Sequence, residues 1–534
     1  MDDLILKHVL YNSVKYDKVD VNSILGKIIA ENPEAKKDIK SAIEKIKKII
    51  KEISNLSIEE REKRLEKYSF EKKEEKKELE LPDINGKVMM RFAPNPNGPI
   101  HIGHARQAIL NSYFCDKYKG DFILRFDDTD AKVKIPLKES YKWIEEDLKW
   151  LGVKIKKIIR QSSRFDIYYR YAEELINQGN AYVCTCRNFK ELVDKSIECP
   201  CRNLSPEDNI KRWKLMFSKY KEENAALRIK TDINNKNPAV RDWPAFRIIE
   251  KGKHPFKKAR VWPLLNFASA IDDHEFNVTH IIRGIDLRIS DERQGYIYKY
   301  FGWEYPKTIY TGKLLVSGLK STSEIKKLIQ EKKLTGWDDL RLGTIKTLRR
   351  RGFKAEAIRN FILSMSLNRN DVHVEMSNLE AFNKDIIDKE SNRYFIVLNP
   401  KKVVIEAPKT EVKIPLHPEF ERGFRKFRTN KEFYVQDNLE DYKLYRFMHL
   451  FNFKNKKFVS RELDKDAKLI HWLPVSKELV NVEVLMDDNS VKKGLGESSL
   501  KKIKVGTIIQ GERNFFMILE KKLKNKLVFV YAHR

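Results

Sequence analysis

Arg91-Phe-Ala-Pro-Asn-Pro-Asn-Gly-Pro-Ile-His-Ile-Gly-His104 is the stretch on which the reading of this chain turns. Pro94, Pro96, Gly98 and Pro99 enforce a rigid turn. Ahead of it, Val88 to Phe92 is a short apolar run that reads as a strand, and from about Ile102 to Lys117 the pattern is helical. His101 and His104 stand three apart on the first turn of that helix, so they share a face. A helix N-terminus already favours phosphate, and two imidazole donors beside it extend the anion site. Gly103 between them leaves room for a flat base to approach the backbone. Two histidines near a helix start are otherwise caps or a coincidence; the strand–turn–helix setting points to a nucleotide.

Moving outward, Phe122 to Phe126 is a second apolar run, and a helix is expected over about Leu137 to Leu151. Strand, helix, strand, helix argues for a parallel α/β sheet. The texture returns at Val278 to Ile282 and in a helix around Asp291 to Phe301, while between about 185 and 260 it breaks down as an inserted domain makes it do. Residues 337–385 read as helical, with Arg349, Arg350 and Arg351 facing outward. After about Ser391 short β-rich runs dominate, including Tyr394 to Leu398, Val480 to Leu485 and Leu527 to Tyr531, a spacing typical of antiparallel barrels or sandwiches. At the other end, residues 1–85 read as a charged helical module. Ile39, Ile43, Ile46, Ile50 and Ile53 draw one apolar stripe, Ser57 and Glu60 form a capping box, and the Lys/Glu run from Glu71 to Glu80 reads as a solvated linker.

The chain has 534 residues, too many for one core, and carries 106 Lys and Arg against 77 Asp and Glu, a net charge of +29. That excess suits a polyanion such as nucleic acid, although a Lys-rich composition alone also produces it. Without a run of 18 uncharged apolar residues or a signal-peptide layout, no membrane segment is expected and a cytoplasmic location is the default expectation. Four of five cysteines fall together as Cys184-Thr-Cys186 and Cys199-Pro-Cys201, with twelve residues between the two pairs. Four thiolates at short range are enough for a closed tetrahedral zinc site of structural type; the alternative is reduced cysteines packed near a turn.

Residues 94–104 resemble the HIGH signature of class I aminoacyl-tRNA synthetases, and the fuller string through Ala105-Arg106 is similar to glutamyl-tRNA synthetases of archaeal type. Gly336-Trp-Asp-Asp-Leu-Arg-Leu342 closely resembles that family's GWDDPRL segment. The resemblance implies a multidomain protein. A Rossmann-like α/β catalytic domain spans 86–340 and contains an inserted acceptor-binding domain at 185–260. A helical N-terminal extension (1–85), a helical stem-contact domain (341–390) and a C-terminal region of antiparallel β-barrels that binds the anticodon (391–534) complete it. Glutamyl enzymes of several lineages also carry cysteines at the start of the insertion.

The same resemblance implies the site. His101 and His104 steady the ATP phosphates, with Pro94, Gly103, Ser321, Thr322 and Ser323 also at the nucleotide, while a carboxylate attacks the α-phosphorus. The second signature loop matches Gly318-Leu-Lys-Ser-Thr-Ser-Glu324, where Lys320, Ser321 and Ser323 are the catalytic candidates; Glu324 stands where the family has lysine. Gly312 to Ser321 also imitates a P-loop, but its spacing is wrong. Arg91, Ala93, Asn95, Asp127, Asn266 and Arg283 match positions that hold the amino acid. Leu265 replaces a tyrosine of the family pocket, which removes one hydrogen bond. Arg283 favours glutamate over glutamine, since a guanidinium fork suits a γ-carboxylate and leaves a neutral amide poorly paired, and Arg106 agrees by resemblance, glutaminyl enzymes usually having lysine there. Gln510 and Arg513, in Ile509-Gln-Gly-Glu-Arg-Asn-Phe515, and Arg425 match readers of anticodon bases. The basic positions Arg341, Lys346, Arg349, Arg350, Arg351 and Arg359 suit an RNA stem.

The implied activity is ATP-dependent attachment of L-glutamate to tRNA(Glu) through glutamyl-adenylate, with magnesium on the ATP. tRNA(Gln) is a second candidate partner, and a monomer is expected. A glutaminyl-tRNA synthetase and a catalytically weak tRNA-binding relative are the competing readings.

Overall fold

A computed structural model describes residues 2–16, 19–68, 79–318 and 320–534. The chain divides into two compact units, Met1–Leu79 and Glu80–Arg534. The linker expected over Glu71 to Glu80 lies outside the described residues except for its last two.

In the first unit four helices, Asp2–Tyr16, Val21–Glu31, Ile39–Ser54 and Ile58–Leu65, pack around Ile5, Val9, Ile24, Ile28, Ile46 and Ile53. The isoleucine stripe is buried at Ile46 and Ile53, but Ile39 opens the helix and stays 44% exposed. The capping box forms as expected: the Glu60 amide donates to Ser57 Oγ at 3.2 Å and the Ser57 amide to Glu60 Oε2 at 2.9 Å.

The second unit is built on the parallel strands Met89–Phe92, Asp121–Phe126 and Ile155–Arg160, with helices Ile102–Lys117 and Lys138–Trp150 as crossovers. Strands His280–Gly284 and Lys307–Thr311 pair in parallel, and the Thr279 amide donates to the Met89 carbonyl at 2.9 Å, seating them beside the first strand. Parallel connection aims the C-terminal ends of these strands at one crevice. The insertion is an antiparallel sheet of Ala181–Cys184, Ala226–Ile229, Pro244–Ile248 and Val261–Pro263 around Trp213, Trp243 and Trp262. It reaches beyond 185–260 on both sides, because its outer strands are short apolar runs with the same texture as the parallel ones.

The region expected to be helical over 337–385 is more broken. Helices Ile345–Arg350, Ala355–Ser364 and Met376–Glu390 are interrupted by strand Val372–Val374, which pairs in parallel with Leu314–Val316, and Gly336 to Leu342 is turns. Arg351 does not face outward: it is 5% exposed, and its Nη2 donates to the Ala532 carbonyl at 2.6 Å. It follows the last residue of a six-residue helix, where the chain turns under the C-terminal strand.

The C-terminal region is β-rich as expected, but its sheets are mixed rather than purely antiparallel. The seven-stranded sheet has two parallel pairings, Asn392–Tyr394 with Ile508–Gly511 and Val480–Leu485 with Lys526–His533. Its two edge strands, Asn392–Tyr394 and Ile396–Leu398, are separated by Phe395 alone, so the sheet must wrap until its edges nearly meet. Smaller sheets pack around Phe433, Tyr445, Phe447, Phe453 and Trp472.

Candidate active site

The turn expected at Pro94–Pro99 sits where strand Met89–Phe92 ends and helix Ile102–Lys117 begins. His101 is the N-cap of that helix: its Nδ1 accepts from the Gly103 amide at 3.1 Å. This fixes the tautomer with the proton on Nε2, leaving that N–H as a donor. The His104 ring stacks on His101, centroids 3.8 Å apart and planes at 24°. Desolvation lowers the pKa of both imidazoles, and for His104 the charges of His101 and Lys134 act in the same direction. His104 nevertheless remains exposed to solvent. At neutral pH the pair is uncharged, so each ring offers an N–H donor.

Gly98 is required by close approach. A Cβ there would stand 2.6 Å from Thr322 Cγ2 and 3.0 Å from the Trp337 ring, so the second signature loop lies directly over the turn. Ser321 caps helix Thr322–Gln330, accepting from the Glu324 amide at 3.2 Å.

Two compartments open from this corner. One, about 450 Å³, is lined by His101, His104, Pro94, Ser321, Thr322 and Ser323 among others. The other, about 560 Å³, is lined by Asp127, Asn266, Leu265, Arg247 and Arg293 among others. Arg91, Ala93, Asn95, Lys134, Arg283 and Leu287 line both, so the compartments share a seam. Nucleotide-type and amino-acid-type candidates are thus brought together.

The arginines are held by a buried lattice of carboxylates. Arg91 donates to both oxygens of Asp273, and Arg125 Nη1 donates to Asp273 Oδ1 at 2.6 Å. Desolvation pushes the Asp273 carboxyl up, but Arg91 and Arg125 outweigh it and hold the pKa at about 2. Asp127 accepts from Arg125 Nε at 2.7 Å; desolvation dominates there and raises its pKa despite Arg125. Arg283 donates to Asp291, which also accepts from Tyr310 and, at 3.0 Å, from Tyr305. The Oδ1 atoms of Asn95 and Asn266 and the Oε1 of Gln107, all cleft residues, are buried without a hydrogen-bond partner.

Several expected residues are placed differently. Gly103 lines neither compartment; the space above it holds the His101 ring, 2.9 Å from where a Cβ would be, so that ring replaces the expected base. Lys320 lines neither compartment and pairs with Glu324 at 3.1 Å. Arg106 is 1% exposed and binds the Gly312 and Ser366 carbonyls, so it braces the fold away from the cleft. Arg425, expected to read a base, is 3% exposed and ion-paired with Glu497 at 3.0 Å and Glu512 at 2.7 Å, its fork turned inward. Gln510 is half-buried in its strand, and Arg513 is exposed on the following turn at φ 57°. Sequence reading gave no role to Arg125, Lys134, Asp273 or Asp291. Two adjacent acids, Asp272 and Asp273, following the apolar run Ala268 to Ile271 broken only by Ser269 in helix Leu265–Glu275, were the available signal for the lattice.

Cys184, Cys186, Cys199 and Cys201 converge: every pair of Sγ atoms lies within 4.8 Å, with Cys186 3.2 Å from Cys199 and 3.7 Å from Cys201. Tetrahedral thiolate coordination at a Zn–S distance of ~2.3 Å puts sulfurs ~3.8 Å apart, so the donor set fits such an ion.

Comparison with known proteins supplies the family. Residues 87–389 match the family model described as tRNA synthetases class I (E and Q), catalytic domain, and residues 391–472 match the anti-codon binding domain of the same group. A glutamate–tRNA ligase of Methanocaldococcus jannaschii is 45% identical, covering 100% of both chains, and one of Pyrococcus furiosus is likewise 45% identical over 100% of both. A solved glutamate tRNA ligase from Elizabethkingia meningosepticum CCUG26117, in complex with its amino acid, aligns with 57% of this chain and 70% of its own at 21% identity and a TM-score of 0.42. The chain belongs to the class I tRNA synthetases of the E and Q family.

Proposed function

We infer that this chain is a glutamate–tRNA ligase: it activates L-glutamate with ATP as glutamyl-adenylate and passes the glutamyl group to tRNA, releasing AMP and diphosphate. The observation that carries the reading is the seam, where the stacked histidines of the nucleotide compartment adjoin Arg91 and Arg283 of the amino-acid compartment.

His101 and His104 hold the phosphates as neutral donors, a role that needs positioning rather than proton transfer. Ser321, Thr322 and Ser323 close over them from the second loop. Arg91 and Arg283 bind the two carboxylates of glutamate, and Asp127, kept close by Arg125, receives the α-amino group. Magnesium bound with the ATP would supply charge neutralisation on the triphosphate, while the cleft's Asp127 is held by Arg125. Arg283 selects glutamate, because a neutral γ-amide leaves the fork unpaired.

The insertion receives the acceptor end of the RNA, the basic helices after Arg341 follow the stem, and Gln510 and Arg513 face the anticodon. The four cysteines hold a structural zinc ion within the insertion. No helix among the described residues is long and apolar enough to cross a membrane.

Charging assays with labelled glutamate and glutamine, on tRNA(Glu) and tRNA(Gln) separately, test this. Glutamyl ester on tRNA(Glu) is expected. Glutaminyl ester alone would make the chain the sibling enzyme, and tRNA binding without any ester would make it a non-catalytic relative.

A further inference from the structure

We propose that Lys134 is a catalytic residue of the activation step, its ammonium meeting the α-phosphate at the seam where the glutamate carboxylate attacks. The assignment rests on the glutamate–tRNA ligase reading and adds a group to it.

Lys134 lies in the loop between strand Asp121–Phe126 and helix Lys138–Trp150, at the C-terminal end of a parallel strand, where such sheets bind ligands. Three cationic side chains line both compartments: Arg91, Arg283 and Lys134. The first two are bound by Asp273 and Asp291. The Lys134 ammonium makes no ion pair or hydrogen bond among the described residues, and its side chain is exposed to the cleft. Its neighbour Lys132, two residues away, is instead committed to Glu222 at 2.6 Å. The root of Lys134 is fixed even though its tip is free. Asp130 accepts from the amides of Lys132 and Val133 at 2.9 Å each and of Lys134 at 3.1 Å, and is itself paired with Arg247 at 3.2 Å.

The second signature loop leaves a need for this charge. Lys320 is tied to Glu324 and lines neither compartment, so the loop brings hydroxyls but no free ammonium to the cleft. The influence of Lys134 already reaches the corner, since its charge is among the causes that lower the His104 pKa.

In the step itself a carboxylate oxygen of glutamate forms a bond to the α-phosphorus while the bond to the bridging oxygen breaks. Pyrophosphate leaves with that electron pair, and no proton is transferred. Negative charge gathers on the non-bridging α-oxygens, and an unpaired ammonium beside them attracts the transition state more strongly than the ground state.

The test is tRNA-dependent ATP–pyrophosphate exchange on full-length wild type, Lys134→Ala, Lys134→Arg and Lys132→Ala, with thermal unfolding as a fold check. Lys134→Ala is expected to lower kcat about a hundredfold with the KM of ATP and glutamate changed less than about threefold. Lys134→Arg recovers a large part of the rate, and Lys132→Ala stays within about twofold of wild type. A Lys134→Ala kcat within about threefold of wild type, or an equal loss in Lys132→Ala, overturns the assignment while leaving the ligase reading intact. Wild type that forms no glutamyl-tRNA at all overturns both.

Discussion

Arg91 donates through Nε and Nη2 to the two oxygens of Asp273, 3.1 Å each, and Asp273 Oδ1 also takes Nη1 of Arg125 at 2.6 Å. One buried carboxylate therefore aims the guanidinium proposed to bind substrate and, through Arg125, the acid proposed to take the substrate amine. Asp273→Asn keeps the shape but leaves two buried guanidinium groups undercompensated. It is expected to cost about 3–5 kcal/mol in denaturant unfolding and to raise the glutamate KM by at least about tenfold. Unchanged stability and KM would show that the lattice does not position Arg91.

His104→Ala removes a donor from the phosphates without disturbing the His101 cap. The exchange reaction is expected to lose on the order of 3 kcal/mol of transition-state stabilisation, seen in kcat, while ATP affinity changes little. Near-normal exchange would remove His104 from the mechanism.

Leu265 is 46% exposed and lines the amino-acid compartment. Leu265→Tyr adds a hydroxyl that can bond a charged substrate group, worth about 1.5 kcal/mol. A roughly tenfold fall in glutamate KM is the expected result. A KM that does not move would show that a neighbour already supplies the contact.

The four-thiol cluster is expected to yield one zinc per chain by elemental analysis. Stripping the metal with a chelator lowers the unfolding midpoint by at least about 3 °C, as does Cys186→Ser. Folded, metal-free protein with an unchanged midpoint contradicts the assignment.

Asp147 is 1% exposed, with one carboxylate oxygen unpartnered and Arg349 no nearer than 3.9 Å. Desolvation, only partly offset by Arg349 and Lys346, raises its pKa from 3.8 to about 7. The folded state thus binds this proton more tightly than the unfolded chain. The burial penalty is absent below about pH 4, grows as pH rises, and is fully present above about pH 7. Asp147→Asn is expected to stabilise by roughly 2 kcal/mol near pH 8 and not at all near pH 4, measured by urea unfolding at both. A pH-independent difference would contradict this.

The capping box at Ser57 and the helix Ile102–Lys117 were legible because their determinants are local: a cap, a turn, a period of 3.6 residues. The short strand Val372–Val374 was not. It exists because Leu314–Val316 offers it an edge, and three residues carry no period of their own. Arg351 and Arg425 mark the same limit, since nothing in their neighbours along the chain foretells the Ala532 carbonyl or the Glu497 and Glu512 carboxylates that bury them.

For the site, the string from Arg91 to His104 determined by itself the strand, the turn and the two histidines at the start of a helix, because short-range stereochemistry carries these, while the family followed from its resemblance to known signatures. Only the tertiary structure decided which cations are free. Arg91, Arg283 and Lys134 look alike as charges in a sequence, but carboxylates brought up by packing neutralise the first two. Electrostatic pairing acts through space over a few ångströms, and that distance is set by the fold, not by order along the chain.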